Sequence, residues 1–167
     1  VLRVNNRQHG LIDSLGNILL GDSAGGKLNN AGGNIVIGRG ALLNNSSANS
    51  TVAIGDSAMA YSGSGSGFFG AYGLYNTAIG SYALRDNLGN NNTALGAFAL
   101  IKNTDGGYNT GIGAGAMQSN TTGGGNTAVG TSSLVLNTTG SSNTVVGLGA
   151  AYSNTTGNAN IAIGSSS

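Results

Sequence analysis

The stretch that decides the fold is Asn126-Thr127-Ala128-Val129-Gly130, a short phrase that returns along almost the whole chain. Nine versions of it occur, and each ends in a glycine: Gly21, Gly38, Gly55, Gly80, Gly96, Gly113, Gly130, Gly147 and Gly164. The steps between these glycines are 17, 17, 25, 16, 17, 17, 17 and 17 residues. A period near 20 residues is typical of solenoids, rolls and fibre shafts that are built one coil at a time.

In each full coil the phrase is followed by a second apolar pair and then by a polar turn. In the coil that begins at Asn126, these are Ser133-Leu134 and Asn137-Thr138-Thr139-Gly140. Asn, Thr, Ser and Gly dominate, and no 3.6-residue period survives the glycines, which argues against helix. The pattern therefore predicts an all-β fold: a parallel β-roll or β-solenoid of about nine coils, with a 17-residue period and two short strands per coil.

The two apolar residues of each phrase are expected on opposite sides of a strand, because neighbouring side chains point to opposite faces. We expect the larger residue to fill the coil core: Ile37, Ile54, Ile79, Leu95, Ile112, Val129, Val146 and Ile163. The alanine, as at Ala128, then lies outside, where it allows the backbone of another chain to approach closely. The sequence therefore predicts an oligomer, most simply a threefold bundle of narrow rolls.

Asparagine opens most coils, and a second asparagine series follows the second apolar pair. Stacked at one coil per roughly 4.8 Å, equivalent side chains can form amide ladders along the axis. We expect these residues to be structural rather than ligand-binding. The opening series includes Asn76, Asn92, Asn109, Asn126, Asn143 and Asn160, and the second series includes Asn45, Asn87, Asn103, Asn120, Asn137 and Asn154.

The repeat also defines the domain organisation. Residues 1–16 lie outside it and are predicted to form an N-terminal hairpin or cap, because Val1-Leu2-Arg3-Val4 alternates like a strand and Asn5-Asn6 is a turn signal. Residues 17–167 form the repeat domain. The spacing from Gly55 to Gly80 is eight residues longer than one coil, which predicts an irregular insertion at about residues 61–75.

The insertion holds five of the nine aromatic residues of the chain: Tyr61, Phe68, Phe69, Tyr72 and Tyr75. One interpretation is a protruding loop that presents these side chains to a partner, since insertions in repeat proteins map to loops and aromatic residues dominate contact energy. The other is a degenerate coil, in which Phe68-Phe69-Gly70 replaces the usual phrase and the aromatic rings pack inward or at an oligomer interface.

Composition excludes several classes of function. The chain has 32 glycines, no cysteine and a net charge of +1, so disulfides, thiolate metal sites and electrostatic binding of nucleic acid are not expected. No apolar run is long enough to insert into a membrane. The residues that could act as catalytic acids or bases are one histidine, His9, and five scattered aspartates, and the chain has no glutamate. We therefore expect no catalytic, cofactor or metal site.

Several phrases resemble a known family of repeats. Asn76-Thr77-Ala78-Ile79-Gly80, Thr51-Val52-Ala53-Ile54-Gly55 and Asn160-Ile161-Ala162-Ile163-Gly164 resemble the head repeats of trimeric autotransporter adhesins (YadA-like heads). The longer unit, with Ala83-Leu84 and Asn120-Thr121-Thr122-Gly123, is also similar to repeats of phage tail fibres and bacterial fibre proteins. The resemblance covers residues 17–164 and implies a left-handed roll that associates as a homotrimer.

The leading functional hypothesis is a non-enzymatic structural or adhesive segment of an extracellular, cell-surface trimeric fibre. Its expected partners are further copies of itself, including end-to-end assembly, and a host-cell, matrix or glycan receptor. Alternatives are the tail-fibre shaft of a phage or contractile injection system and a self-assembling extracellular filament. Ice binding by ranks of threonine is a further alternative, but in a simple strand Thr127 would face inward together with the large aliphatic residue, which argues against it.

Overall fold

The structure, a computed structural model, describes residues 2–4, 7–29, 31–62 and 73–167, with side chains described from Gly10 onward. Within these residues the chain contains no helix and forms one sheet whose eleven strands follow each other in chain order. The strands are β1 Leu2–Val4, β2 Arg7–Ile12, β3 Ile18–Leu20, β4 Ile35–Ile37, β5 Val52–Ile54, β6 Thr77–Ile79, β7 Thr93–Leu95, β8 Thr110–Ile112, β9 Thr127–Val129, β10 Thr144–Val146 and β11 Ile161–Ile163.

Strands β3 to β11 run parallel, and equivalent residues of successive coils pair directly. Thr110 pairs with Thr127, for example, and Ile112 with Val129. The register is the same across the long spacing between β5 and β6, where Ile54 pairs with Ile79. The predicted all-β parallel solenoid with a period of about 17 residues is confirmed, with about eight turns between β3 and β11.

The segment after each strand is a series of turns and not a second strand. After Gly96, three overlapping turns run to Asn103, each closed by an N–H that donates to the carbonyl three residues earlier. Phe98 and Leu100 have φ angles of +61° and +52°, the sign expected at the third residue of a type II turn. Because this backbone is not extended, the side chains of Ala99 and Leu100 do not point to opposite faces, and both are fully buried. The prediction of two strands per coil is therefore wrong, and each coil has one.

The coil interior is narrow and takes one large side chain per coil from the turn segment. These fully buried side chains are Leu42, Met59, Leu84, Leu100, Met117 and Leu134. The middle residue of each strand faces them and is usually alanine: Ala53, Ala78, Ala94 and Ala128 are fully buried. The two sets fill the interior between them, and little room remains for a second large residue.

The predicted coil core is accordingly wrong, although the predicted alternation within the strand is present. The residues that point away from the interior, and are half-buried or exposed, are Ile37, Ile54, Ile79, Leu95, Ile112, Val129, Val146 and Ile163. The strand turns the opposite side from the predicted one toward the interior, because Leu or Met of the turn segment already occupies the space that these residues were expected to fill.

The first coil is covered by antiparallel strands. β1 pairs with β2, and β2 pairs with β3, with Leu11 opposite Leu19. This arrangement lies where the sequence predicts a hairpin or cap over residues 1–16. The edge of β3 is thereby covered, and the sheet ends instead at the three-residue strand β1, a short edge that other chains extend less readily.

The corner glycine that ends each strand is required by the close stacking of the coils. A Cβ on Gly113, whose φ is +128°, would lie 2.5 Å from the carbonyl oxygen of Gly130 in the next coil. Gly115, two residues further on, has a φ of +66°, but a Cβ there would meet nothing closer than 3.6 Å. The next coil carries Ser132 at the same position. Gly113 is therefore needed for space, whereas Gly115 only relieves backbone strain.

We expect Gly113→Ala to lower the free energy of unfolding by about 3 kcal/mol or more, because it adds a backbone clash to backbone strain. Gly115→Ala is the matched control and should cost only about 1 kcal/mol, the penalty of a left-handed residue that has a Cβ. Urea denaturation of the two variants, compared at equal m value, measures the difference. Equal losses would contradict the role assigned to the corner.

Candidate functional site

The outward side of β3–β11 is a continuous uncharged surface, which we call the strand face. Each coil contributes two residues to it, one on either side of the buried middle residue of the strand. One rank is aliphatic throughout: Leu20, Ile37, Ile54, Ile79, Leu95, Ile112, Val129, Val146 and Ile163. The other rank is aliphatic at its ends and threonine in between: Ile18, Ile35, Val52, Thr77, Thr93, Thr110, Thr127, Thr144 and Ile161.

Much of the apolar surface on the strand face is open to solvent. The exposed fraction is 44% at Leu95, 39% at Leu20 and 38% at Val146. Thr127 and Thr144 are exposed as well. The expectation that the threonines turn inward with the aliphatic rank is therefore wrong, because both ranks face outward. A continuous apolar patch of this kind marks an interaction surface in soluble proteins.

The asparagines that open the coils form the predicted ladder inside the solenoid. The Oδ1 of Asn126 accepts from the backbone N–H of Asn143 at 2.9 Å and from its side-chain amide at 3.0 Å. The same arrangement joins Asn143 to Asn160, where both distances are 2.9 Å. The asparagines of this series from Asn17 to Asn143 are buried, so their rungs are shielded from water, whereas Asn160 at the last rung is exposed. The buried members present no polar group to a ligand.

The second asparagine series forms a parallel ladder that is tied to the first. The side-chain amide of Asn137 donates to Oδ1 of Asn120 at 2.8 Å and to the carbonyl of Gly140 at 2.9 Å. The same carbonyl accepts from the side-chain amide of Asn126 at 2.8 Å. Among the described residues, no buried side-chain nitrogen or oxygen lacks a partner. The polar interior is therefore a closed network that fixes the corner of every coil.

The first rung of the opening ladder ends on an acidic residue. Asp13 accepts from the side-chain amide of Asn17 at 2.8 Å and from its backbone N–H at 2.9 Å. The side-chain amide of Asn17, and next its backbone N–H, hold the pKa of the Asp13 carboxyl below its usual value. The ladder then continues to Thr51, which stands where other coils have asparagine and accepts no bond from Asn76.

The insertion between Gly55 and Gly80 is described only in part. Tyr61 and Tyr75 are exposed, at 53% and 58%. Phe68, Phe69 and Tyr72 lie outside the described residues, so the two interpretations of the insertion both remain predictions. A separate aromatic pair lies two residues after the corner glycines, where the rings of Tyr82 and Phe98 stack with their centroids 5.4 Å apart.

The described residues contain no group of three or more His, Asp, Glu or Cys side chains that could hold a metal ion. In the same part of the chain, no helix is long and apolar enough to cross a membrane. Comparison with known proteins finds no match among family models, curated proteins or solved structures.

We expect Asn126→Ala to lower the free energy of unfolding by on the order of 3 kcal/mol, because it leaves the buried N–H and side-chain amide of Asn143 without their acceptor. Asn158→Ala removes a comparable bond, to the N–H of Ser141 at 2.7 Å, but at an exposed position. This control should cost about 1 kcal/mol or less. Guanidinium denaturation measures both, and a small loss for Asn126→Ala would refute the structural role of the ladder.

Proposed function

We propose that the chain is a non-enzymatic, adhesive or structural segment of an extracellular fibre, and that it works as a homotrimer held together by the strand face. The observation that carries this proposal is the aliphatic rank, which presents one uncovered apolar side chain per coil along the whole solenoid. Complete burial of such a side chain contributes roughly 1.5–3 kcal/mol. A second surface of the same length and period would cover the rank most fully.

A copy of the same chain is the partner that matches this surface. The strand face carries no charged residue, and its two ranks repeat at the spacing of hydrogen-bonded strands, roughly 4.8 Å. Copies with parallel axes can therefore pack coil against coil without repulsion. The alanine rank that was expected to make this contact is inside the coil, as at Ala128, so the strand face takes that role. The resemblance to trimeric adhesin heads supports a threefold arrangement.

The other surfaces suit a rigid, multivalent support. On either side of the break at Thr51, the two asparagine ladders tie successive coils together, which stiffens the shaft. Three identical shafts side by side would present each surface feature three times, so that weak contacts with a host-cell, matrix or glycan receptor add up. The scarcity of groups that could activate a nucleophile, with one histidine, no cysteine and few charged residues, also favours a binding role over catalysis.

The solution mass tests the trimer directly. We expect sedimentation equilibrium to give three times the chain mass, and the double variant Ile79→Asp/Ile112→Asp to be a monomer, because buried carboxylates would face each other across the axis. The matched control is Leu136→Asp, since Leu136 is 40% exposed but is not part of the strand face. This control should remain a trimer.

The same set of variants tests adhesion. Beads coated with the parent protein should bind host-cell or matrix surfaces more strongly than beads carrying the monomeric variant at equal density, because valence is lost.

A stable monomer with an ordered β-sheet circular dichroism spectrum would refute the trimer. A trimer that survives the double variant would move the interface to another surface.

A second candidate function, ice binding, is favoured by the outward threonines. Five successive coils place a threonine at the same position of the strand face, next to an aliphatic residue: Thr77, Thr93, Thr110, Thr127 and Thr144. A flat, regular array of hydroxyl and methyl groups can order a layer of water. This function requires the strand face to be free, so it competes with the trimer for one surface.

Thermal hysteresis measurements test ice binding. If the function is present, Thr110→Lys/Thr127→Lys should abolish the hysteresis, because two long charged side chains interrupt the array, while Leu136→Lys should leave it unchanged. An absence of hysteresis in the parent protein would remove this candidate and leave the fibre proposal untouched.

A further inference from the structure

A shallow groove of about 700 Å³ crosses four coils at the corner that precedes the ladder asparagines. Its floor is backbone, because Gly107 and Gly124 have no side chain there. Tyr108 and Asp105 stand beside it, and Asn90 continues it toward the N-terminal coils. None of its lining residues belongs to the strand face, so the groove is a surface of its own.

Two backbone donors in the groove floor have no acceptor among the described residues. They are the N–H groups of Asn90 and Gly107, which lie one coil apart, at roughly the 4.8 Å spacing of stacked strands. A backbone N–H is a strong donor that proteins normally pair with an acceptor or with water. The two donors therefore offer a pair of ready hydrogen bonds to a bound molecule.

Neighbouring coils show what belongs opposite these donors. At the same position of the repeat, the N–H of Leu74 donates to Oδ1 of Asn90 at 2.8 Å, and that of Ser141 donates to Oδ1 of Asn158 at 2.7 Å. The acceptor is each time a side-chain oxygen from the next coil. At Gly107 and Gly124 that side chain is missing, so a ligand oxygen can take its place.

Charge restricts what the ligand can be. The groove has no lysine or arginine in its lining, whereas the carboxylate of Asp105 is exposed and makes no hydrogen bond or ion pair with the described residues. An anionic ligand would be repelled by Asp105. A cation could pair with Asp105, but it would leave the two N–H groups without an acceptor. A neutral hydroxyl group satisfies both, because it can donate to the carboxylate and accept from an N–H.

Tyr108 adds an apolar wall. Its side chain is 74% exposed, the largest exposed fraction of any tyrosine in the described residues. The corresponding residue of the next coil is Gly125, and a φ of +60° at Tyr108 is a conformation that suits glycine better. Asn91 and Ser142 have φ angles of +59° and +60° at the same repeat position, so this backbone is shared by the coils, and what distinguishes Tyr108 is its exposed ring. The ring can contact the apolar face of a ring-shaped ligand.

We infer that this groove is a binding site for a neutral saccharide. The sugar ring packs on Tyr108, one hydroxyl donates to Asp105, and two further hydroxyl oxygens accept from the N–H groups of Asn90 and Gly107. Hydroxyls on alternate carbons of a pyranose ring span the distance between these donors. Carbonyls on one side of an extended peptide are about 6.8 Å apart, which does not match.

The site gives the adhesive role proposed above its ligand class, and in that sense it rests on that proposal. Its geometry, however, involves a single chain. Binding can therefore be counted per chain and does not depend on whether the protein associates. A monomer that binds saccharide would refute the trimer and support the saccharide site. A trimer that binds no saccharide would support the trimer and refute the site.

The test is a titration followed by ¹H–¹⁵N correlation spectra of the labelled full chain. The probes are glucose, galactose, mannose, N-acetylglucosamine and neutral disaccharides made from them, with sialyllactose as the anionic comparison. We expect at least one neutral probe to shift the amide signals of Asn90 and Gly107 in a saturable way. Sialyllactose should bind more weakly than lactose, the neutral sugar it contains.

Three substitutions test whether the ligand binds in the groove, and each introduces a residue type found at the same repeat position of another coil. Asp105→Thr and Tyr108→Gly install the residues that the next coil carries at Thr122 and Gly125, and Gly124→Asn supplies the missing side-chain acceptor to Gly107. Each should weaken binding by about tenfold or more, the usual effect of a lost polar or aromatic contact. Tyr75→Gly is the control, since Tyr75 holds the same repeat position but lies outside the groove.

Thermal melting of each variant verifies that it is folded before its affinity is compared. Loss of binding in the three groove variants, with binding retained in Tyr75→Gly, supports the site. Failure of every neutral probe to shift the two amides would overturn it. Unchanged affinity in Gly124→Asn, or stronger binding of sialyllactose than of lactose, would also overturn it.

Discussion

The stacking of one coil on the next at the distance of hydrogen-bonded strands governs the rest of this structure. A polar group buried in such a stack finds its partner in its own turn or in the neighbouring coil, and a bond between coils forms when the same residue returns at the same place. Asn126 meets this requirement with one side chain, because its oxygen accepts from Asn143 while its amide donates to Gly140. The 17-residue period is therefore set by hydrogen bonding as much as by the apolar pattern.

The narrow interior then decides what appears outside. Each coil has room for one large side chain, and Leu or Met of the turn segment supplies it, as at Leu134. The strand must turn its alanine inward and its isoleucine, valine or leucine outward. An apolar outer face is thus a direct result of a small core, and a solenoid of this kind needs a covering for that face or a use for it.

The fold was predictable because the phrase occurs nine times at a nearly constant period and opens with asparagine in eight of them, so the coils support one interpretation. The side of each strand that faces the core could not be predicted, because alternation places Ala128 and Val129 on opposite sides without indicating which side is inside. Leu134 decides which side faces the core, because it fills the interior from the turn segment. A left-handed turn buries its neighbour Ser133 as well, and the apolar pattern does not predict such a turn. The groove was missed for a related reason: it depends on absent side chains at Gly107 and Gly124, which in sequence look like ordinary turn glycines.

The asparagine ladders also give the shaft an electrical direction. In the opening ladder, the side-chain oxygen of each asparagine that is bonded to the next rung faces the C-terminal coils, as the bonds from Asn143 to Asn126 show. Aligned amide dipoles of this kind add along the axis, as they do in a helix. The carboxylate of Asp13 lies at the donor end of the first ladder, where a negative charge is most stable. The two ends of the solenoid therefore differ in potential as well as in shape.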